Sequence, residues 1–394
     1  ENSLFIEYND IDFLISVGQY DKELNFKIIE TEIIPSTGIQ DGKIINLEES
    51  VKSLKSGLSA IEKKTNIIFK EANVITNQKN FDCINVTGYK KMNGNQILED
   101  DISFILNDLK KKISDIEKNK TIIHLFNTKF ILDKNYIKNL PIGLFGDFYS
   151  HQLTFFLMDN NDLKNIKTLL NKSNLNLNRI ILKSFSDGIS LVNNNNNGSF
   201  INICIGEKDS HIIFFYNSAY SYFQNFNFGS NLIYNDIAKV CSLDLDEVKK
   251  LIKDTSFDEM ENKEKELINQ KYFKNKNFRK LSLEHVKEII IARVEEITDT
   301  IFRNNINLKN LEKKNLPIYL TLKDINIFIN LKQTFKNSFK EDLKLVQNDN
   351  NILNKTNNTQ IFGELISRGW SSEAIPVVQR KNSLFQRFFS VFFD

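Results

Sequence analysis

The chain has 394 residues, 41% of them hydrophobic and 26% charged, which is enough apolar material for two to four globular domains. With 52 Lys and Arg against 50 Asp and Glu it carries no general basic field of the kind that nucleic acid requires, so nucleic acid is not among the expected partners. Three cysteines (Cys83, Cys204 and Cys241) without a CxxC pair speak against a disulfide framework, and His124, His151, His211 and His285 have no metal-ligand spacing.

The first elements in the chain are short β runs. Residues 4–6, 11–18 and 24–34 are apolar or alternating and rich in Ile, Phe and Val, which predicts three antiparallel strands. Leu47, Val51, Leu54, Leu58 and Ile61 then recur at three- and four-residue spacing, the mark of an amphipathic helix, and a strand follows at 72–76. From 78 to about 158 strands mix with a helix at 99–116, whose buried face is Ile102, Ile105, Leu106, Leu109 and Ile113. Three more β runs follow at 199–205, 210–217 and 220–228.

A charged helical piece covers about 229–278, and its ionic stretch at 258–271 reads as a solvated face. Leu283, Val286, Ile290, Val294, Ile297 and Ile301 mark another helix, followed by a strand at 317–322 and a helix at 325–339. Two copies of β-β-β-α-β predict a duplicated, two-lobed α/β architecture, although an unrepeated mixed α/β protein would show a similar pattern.

No stretch approaches the ~18 apolar residues of a membrane-spanning helix, and ENSLFIEYND has neither the basic nor the apolar region of a signal peptide. The end of the chain, NSLFQRFFSVFFD, is a different matter. Wound at ~100° per residue, Leu384, Phe385, Phe388, Phe389, Val391, Phe392 and Phe393 share one face; Arg380, Ser383, Gln386, Arg387, Ser390 and Asp394 share the other. Such a helix, ~20 Å long, is too short to cross a ~30 Å hydrocarbon layer but suits its interface, with Arg380, Lys381 and Arg387 meeting anionic headgroups. A helix packed back on its own domain and one offered to a protein partner are the alternatives. Its place after a polar linker favours lipid.

The order of parts resembles FtsA, the actin-like bacterial division protein that ties FtsZ filaments to the inner membrane. The stretches that carry the resemblance are 42–66, like the family's first helix; 85–102, like the start of its small inserted domain; 142–158, like its GLxG segment; and 228–252, with Gly229, Asp236, Ile237 and Ala238 in the family's places. The tail resembles the family's membrane-targeting helix. The resemblance implies an actin-like (ribonuclease-H-like, duplicated) fold. Its first lobe is 1–77 and 158–197, with a small inserted α+β domain at 78–157. Its second lobe has a core at 198–228 and 296–369 and a helical subdomain at 229–295. A linker at 370–381 leads to the C-terminal amphipathic helix at 382–394.

An actin-like nucleotide cleft needs two hairpins with small and acidic residues around phosphates and Mg²⁺, and a Gly-Gly turn beside adenosine. All three loops depart from that pattern. In IEYNDID, Glu7 keeps the acidic place, while Asn9 and Asp10 replace small residues. In CIGEKDSH only Gly206 survives of a glycine run, and Cys204 stands at the usual Asp. In YLTLKD, Thr321 remains while Leu322 and Lys323 replace the two glycines. Together these changes predict a degenerate site that binds ATP and Mg²⁺ weakly or not at all, and no catalytic constellation is present.

By the same resemblance the FtsZ C-terminal peptide docks on the helical subdomain, where Arg279, Lys280, Lys287 and Arg293 are the candidate cations. An ordinary solvated basic face explains the same residues. Self-association into filaments, contact with other division proteins and a peripheral place on the cytoplasmic face of the inner membrane are what the family implies. An active actin-like ATPase or sugar-kinase-like enzyme, and an actin-like adaptor of pilus assembly, are the competing readings.

Overall fold

The computed structural model describes residues 2–194, 198–259, 266–274, 276–309, 316–339, 341–346 and 355–369. The chain divides into two compact units: residues 1–198, 215–222 and 350–394 in the first, and 199–214 and 223–349 in the second.

The first unit opens with the expected meander. Strands β1 (Asn2–Tyr8), β2 (Asp12–Tyr20) and β3 (Phe26–Pro35) pair antiparallel in succession. A small hairpin, β4 (Ile39–Gln40) and β5 (Lys43–Ile44), leads to helix α1 (Leu47–Thr65). Asn46 caps that helix by accepting the Glu49 N–H at 3.3 Å. Glu48 and Glu49 sit in its first turn and Lys63 and Lys64 in its last, each favourable to the helix dipole. Leu54, Leu58 and Ile61 are buried as α1 packs on β2 and β3. The helix delivers β6 (Glu71–Thr76), which runs parallel to β1.

The inserted region is a four-stranded antiparallel sheet with one helix on it. Its elements are β7 (Phe81–Lys91), α2 (Glu99–Ile116), β8 (Lys120–Leu132), β9 (Asn135–Ile137) and β10 (Phe148–Asp159), in sheet order β7-β10-β8-β9. Ile102, Ile105, Leu106, Leu109 and Ile113 of α2 enter one core with Tyr149, Leu153, Phe155 and Leu157 of β10. Asp101 begins the helix: its carboxylate accepts the Leu98 N–H at 2.7 Å and the Lys90 ammonium at 2.6 Å. Burial pushes that carboxyl up, but the two hydrogen bonds outweigh burial and hold it below the usual carboxylate range.

Helix α3 (Asn160–Lys172), strand β11 (Asn176–Leu182) and helix α4 (Lys183–Asn194) complete the first sheet in the order β11-β6-β1-β2-β3. The second unit repeats this plan. Strands β12 (Phe200–Ile205), β13 (Ser210–Tyr216) and β14 (Ala219–Phe226) form the second meander. Helices α5 (Asn231–Cys241), α6 (Leu245–Asp254), α7 (Leu283–Thr298) and α8 (Ile306–Lys309) follow, then β15 (Ile318–Leu322), α9 (Ile325–Phe339) and β16 (Leu343–Val346). The sheet order is β14-β13-β12-β15-β16, with β12, β15 and β16 parallel. Each sheet therefore has a three-stranded meander, extended beyond its first strand by two parallel strands delivered by helices. Leu283, Val286, Ile290, Val294 and Ile297 are the buried face of α7, and Ile301 lies in the π-helical turn that ends it, Asp299–Arg303.

The β13–β14 turn, residues 215–222, counts with the first unit. Tyr220 stacks on Phe156 at 4.3 Å and lies beside Phe126 and Phe185. Helix α10 (Asn357–Ser367) also belongs there, packed on α4 and β3.

Candidate functional site

The β1–β2 turn of the first unit is closed on itself. Asn9 Oδ1 accepts the N–H groups of Ile11 (2.7 Å) and Asp12 (3.0 Å), an Asx turn, and Asn9 Nδ2 donates to Asp12 Oδ1 at 2.6 Å. The Asp10 carboxylate turns toward the β4–β5 hairpin and accepts the N–H groups of Asp41 (2.9 Å) and Gly42 (2.8 Å). Asp41 and Gly42 both have positive φ, 52° and 72°, so Asp10 caps a left-handed turn. Glu7 is buried at the end of β1, ion-paired with Lys183 at the start of α4. Beside it Tyr8 bonds Thr76 Oγ1 at 3.1 Å, and burial drives the phenol well above its usual range.

In the second unit Gly206 and Thr321 lie at the ends of neighbouring parallel strands. Gly206 begins a tight turn in which its N–H donates to the Asp209 carbonyl at 2.9 Å. The same turn covers the start of α5: the N–H groups of Ser230 and Asn231 donate to the carbonyls of Gly206 and Glu207, each at 2.9 Å. Free N–H groups at a helix start are what a phosphate uses, and here the turn takes two of them. Gly229 makes the approach possible, because a Cβ there would overlap the Gly206 carbonyl oxygen and stand 2.7 Å from that of Glu207.

Thr321 is nearly buried and donates to Asn202 Oδ1 at 3.2 Å, Leu322 is buried, and the Lys323 N–H donates to the Ile205 carbonyl at 2.9 Å. Asp324 caps α9 through the N–H groups of Asn326 (2.9 Å) and Ile327 (3.3 Å), and it accepts the Tyr234 hydroxyl at 2.8 Å. Burial, reinforced by this carboxylate, pushes the Tyr234 phenol far up.

The four basic residues do not act alike. Arg279 is exposed and donates to Ser242 Oγ at 3.2 Å, Lys280 is exposed, and Lys287 is half-buried. Arg293 is half-buried and pairs with Asp236 on α5 and with Glu296 at 2.9 Å. Arg279 is thus exposed and bonded to Ser242 between α5 and α6, where Val240 and Leu245 are exposed, as is its chain neighbour Phe278, whereas Arg293 holds α7 to α5. The expected lipid-binding residues Arg380, Lys381, Leu384, Phe385, Arg387, Phe388, Phe389, Phe392 and Phe393 lie outside the described residues. Lys183 and Asp324 were not singled out by the sequence. Their one signal is position, a charged residue one or two places after a strand and at the start of a helix.

Residues 79–150 match the family model for the SHS2 domain inserted in FtsA. The cell division protein FtsA of Buchnera aphidicola is 21% identical over 237 residues, 60% of this chain and 56% of that protein, so the match spans little more than half the relative's length. Among solved structures, the PilM–PilN type IV pilus biogenesis complex superposes with a TM-score of 0.56 at 9% identity, covering 93% of this chain and 98% of that one. MreB5 of Spiroplasma citri bound to ADP has a TM-score of 0.48 at 11% identity, covering 93% and 98%. The chain resembles FtsA as a divergent relative, and its fold is the actin-like one.

Proposed function

We propose that this FtsA-like chain is a cell-division adaptor that tethers FtsZ filaments to the cytoplasmic face of the bacterial inner membrane, with a nucleotide site that has lost its phosphate cradle. The observation that carries the reading is the FtsA-type inserted domain, β7 to β10 with α2, set within a lobe of the expected plan. The chemistry of the loops supports an adaptor rather than an enzyme. The Asn9 and Asp10 side chains bond the protein's own backbone, and the 206–209 turn takes two N–H groups at the start of α5 that a polyphosphate would otherwise use.

The FtsZ C-terminal peptide docks beside Arg279 and Lys280, with Val240, Leu245 and Phe278 receiving its apolar side chains. Arg279→Glu weakens peptide binding at least tenfold in a fluorescence-anisotropy titration, and an unchanged affinity removes this surface from the proposal. The terminal helix supplies the membrane contact. Four or five Phe rings at ~1.5–3 kcal/mol each, less the cost of ordering, hold one molecule reversibly, and an array along a filament holds firmly. Liposome co-sedimentation of the full chain against a version ending at Gln379 tests this. Equal sedimentation of the two refutes the tether.

A further inference from the structure

Glu7 stands at the end of β1, where an actin-like nucleotide site keeps the acid that faces Mg²⁺. Glu7 is 3% exposed, and a buried carboxylate is costly unless a countercharge meets it. The countercharge here belongs to the chain itself. The Lys183 ammonium bonds Glu7 Oε1, and among the described residues Oε2 has no hydrogen-bond partner, so Lys183 alone balances the charge.

The same ammonium reaches a third element. With the Asn358 amide oriented to satisfy its neighbours, its oxygen accepts from Lys183 Nζ at 3.1 Å, and its nitrogen donates to Asp187 Oδ1 at 3.1 Å and Ser186 Oγ at 2.9 Å. One cation therefore joins β1, α4 and α10.

Mg²⁺ does not fit this arrangement. It takes near-octahedral oxygen ligands, whereas Glu7 is already in contact with an ammonium that would repel a second cation. Among the described residues no group of three His, Cys, Asp or Glu is placed to hold a metal.

We propose that Lys183 is the resident cation of Glu7: an internal ammonium stands where a nucleotide-binding relative would hold a divalent ion, and it fastens α4 and α10 to β1 without metal. This inference rests on the reading of a degenerate nucleotide site and names what replaced its cation.

The test compares the full-length wild type with Glu7→Gln, Lys183→Met and the double variant, by thermal unfolding and by Mn²⁺ titration followed by electron paramagnetic resonance. Lys183→Met leaves the carboxylate unbalanced and lowers Tm by roughly 5 °C or more. The double variant regains most of that loss, or folds where Lys183→Met does not. Wild type shows no Mn²⁺ binding that Glu7→Gln abolishes. Such Glu7-dependent binding in wild type, an unchanged Tm in Lys183→Met, or a double variant no more stable than Lys183→Met each overturns the proposal. A fluorescent ATP analogue bound by wild type at micromolar concentration and indifferent to Glu7→Gln would refute the degenerate-site reading and leave the ion pair standing.

Discussion

Gly229→Ala separates a structural role for the second hairpin from a phosphate-binding one. The added methyl would occupy the space of the Gly206 carbonyl oxygen and crowd that of Glu207 at 2.7 Å. Both are backbone atoms, so the 206–209 turn must move away from α5 as a whole. That movement breaks the two 2.9 Å bonds from the Ser230 and Asn231 N–H groups. Each bond contributes ~0.5–1.5 kcal/mol net, and Ser230 is 1% exposed, so its stranded donor adds a further ~1–3 kcal/mol. The expected loss is ~2–6 kcal/mol, read as a lower urea midpoint with unchanged m-value. Gly94→Ala is the control: its Cβ would have open space, with no neighbour nearer than 3.9 Å, and it suffers only the strain of φ +78°, ~1–2 kcal/mol. If Gly229→Ala costs no more than Gly94→Ala, the hairpin does not depend on this approach, and the two N–H groups are free for another ligand.

Asp324→Ala removes the cap of α9 and the partner of the buried Tyr234 hydroxyl, for an expected loss of ~2–4 kcal/mol, whereas Asp324→Asn keeps the shape and loses less; chemical denaturation orders the two. Arg293→Ala unties α7 from α5 and costs about 1 kcal/mol, since the pair is partly exposed; under the proposed adaptor role it leaves FtsZ-peptide affinity nearly unchanged, and a tenfold loss of affinity would put Arg293 in the peptide surface instead. His151 supplies a pH dependence. Burial in the inserted domain, beside Phe130 and Tyr149, pushes its imidazole down from 6.5 to about 3. Between those values the unfolded chain binds a proton that the folded one refuses, so stability rises with pH across that window and is lost as pH falls below 6.5. From pH 6.5 to 5 the loss is ~2 kcal/mol, and His151→Leu flattens the slope; an unaltered slope would show that His151 does not titrate with unfolding.

The periodic elements were legible in the amino-acid sequence because their signal is local. The 3.6-residue spacing of Ile102, Ile105, Leu106, Leu109 and Ile113, or of Leu283 through Ile297, needs only one buried face, and the structure buries those residues. The two meanders could be read for the same reason, since short Ile-, Val- and Phe-rich runs between polar breaks have few alternatives to pairing with their neighbours. Helices α3 and α4 and strand β11 are not legible in the sequence. Asparagine-rich segments such as NNDLKNIKTLLNK dilute the apolar stripe, and it is contact with the sheet that selects Ile166, Leu169 and Leu170 as the buried set.

The roles of single side chains were decided by tertiary structure. Quoted as a string, IEYNDID offers three carboxylates near a possible phosphate. Folded, Glu7 meets Lys183 from 176 residues away, Asp10 caps residues 41 and 42, and Asp12 holds Asn9 and Lys355. Arg279 and Arg293 look alike in the chain, yet only Arg293 faces an aspartate on a neighbouring helix. Spacing along the backbone dictates which residues share a face. A charge takes its partner from whatever strand or helix the fold brings alongside, and that choice is made across distances in sequence that no local pattern records.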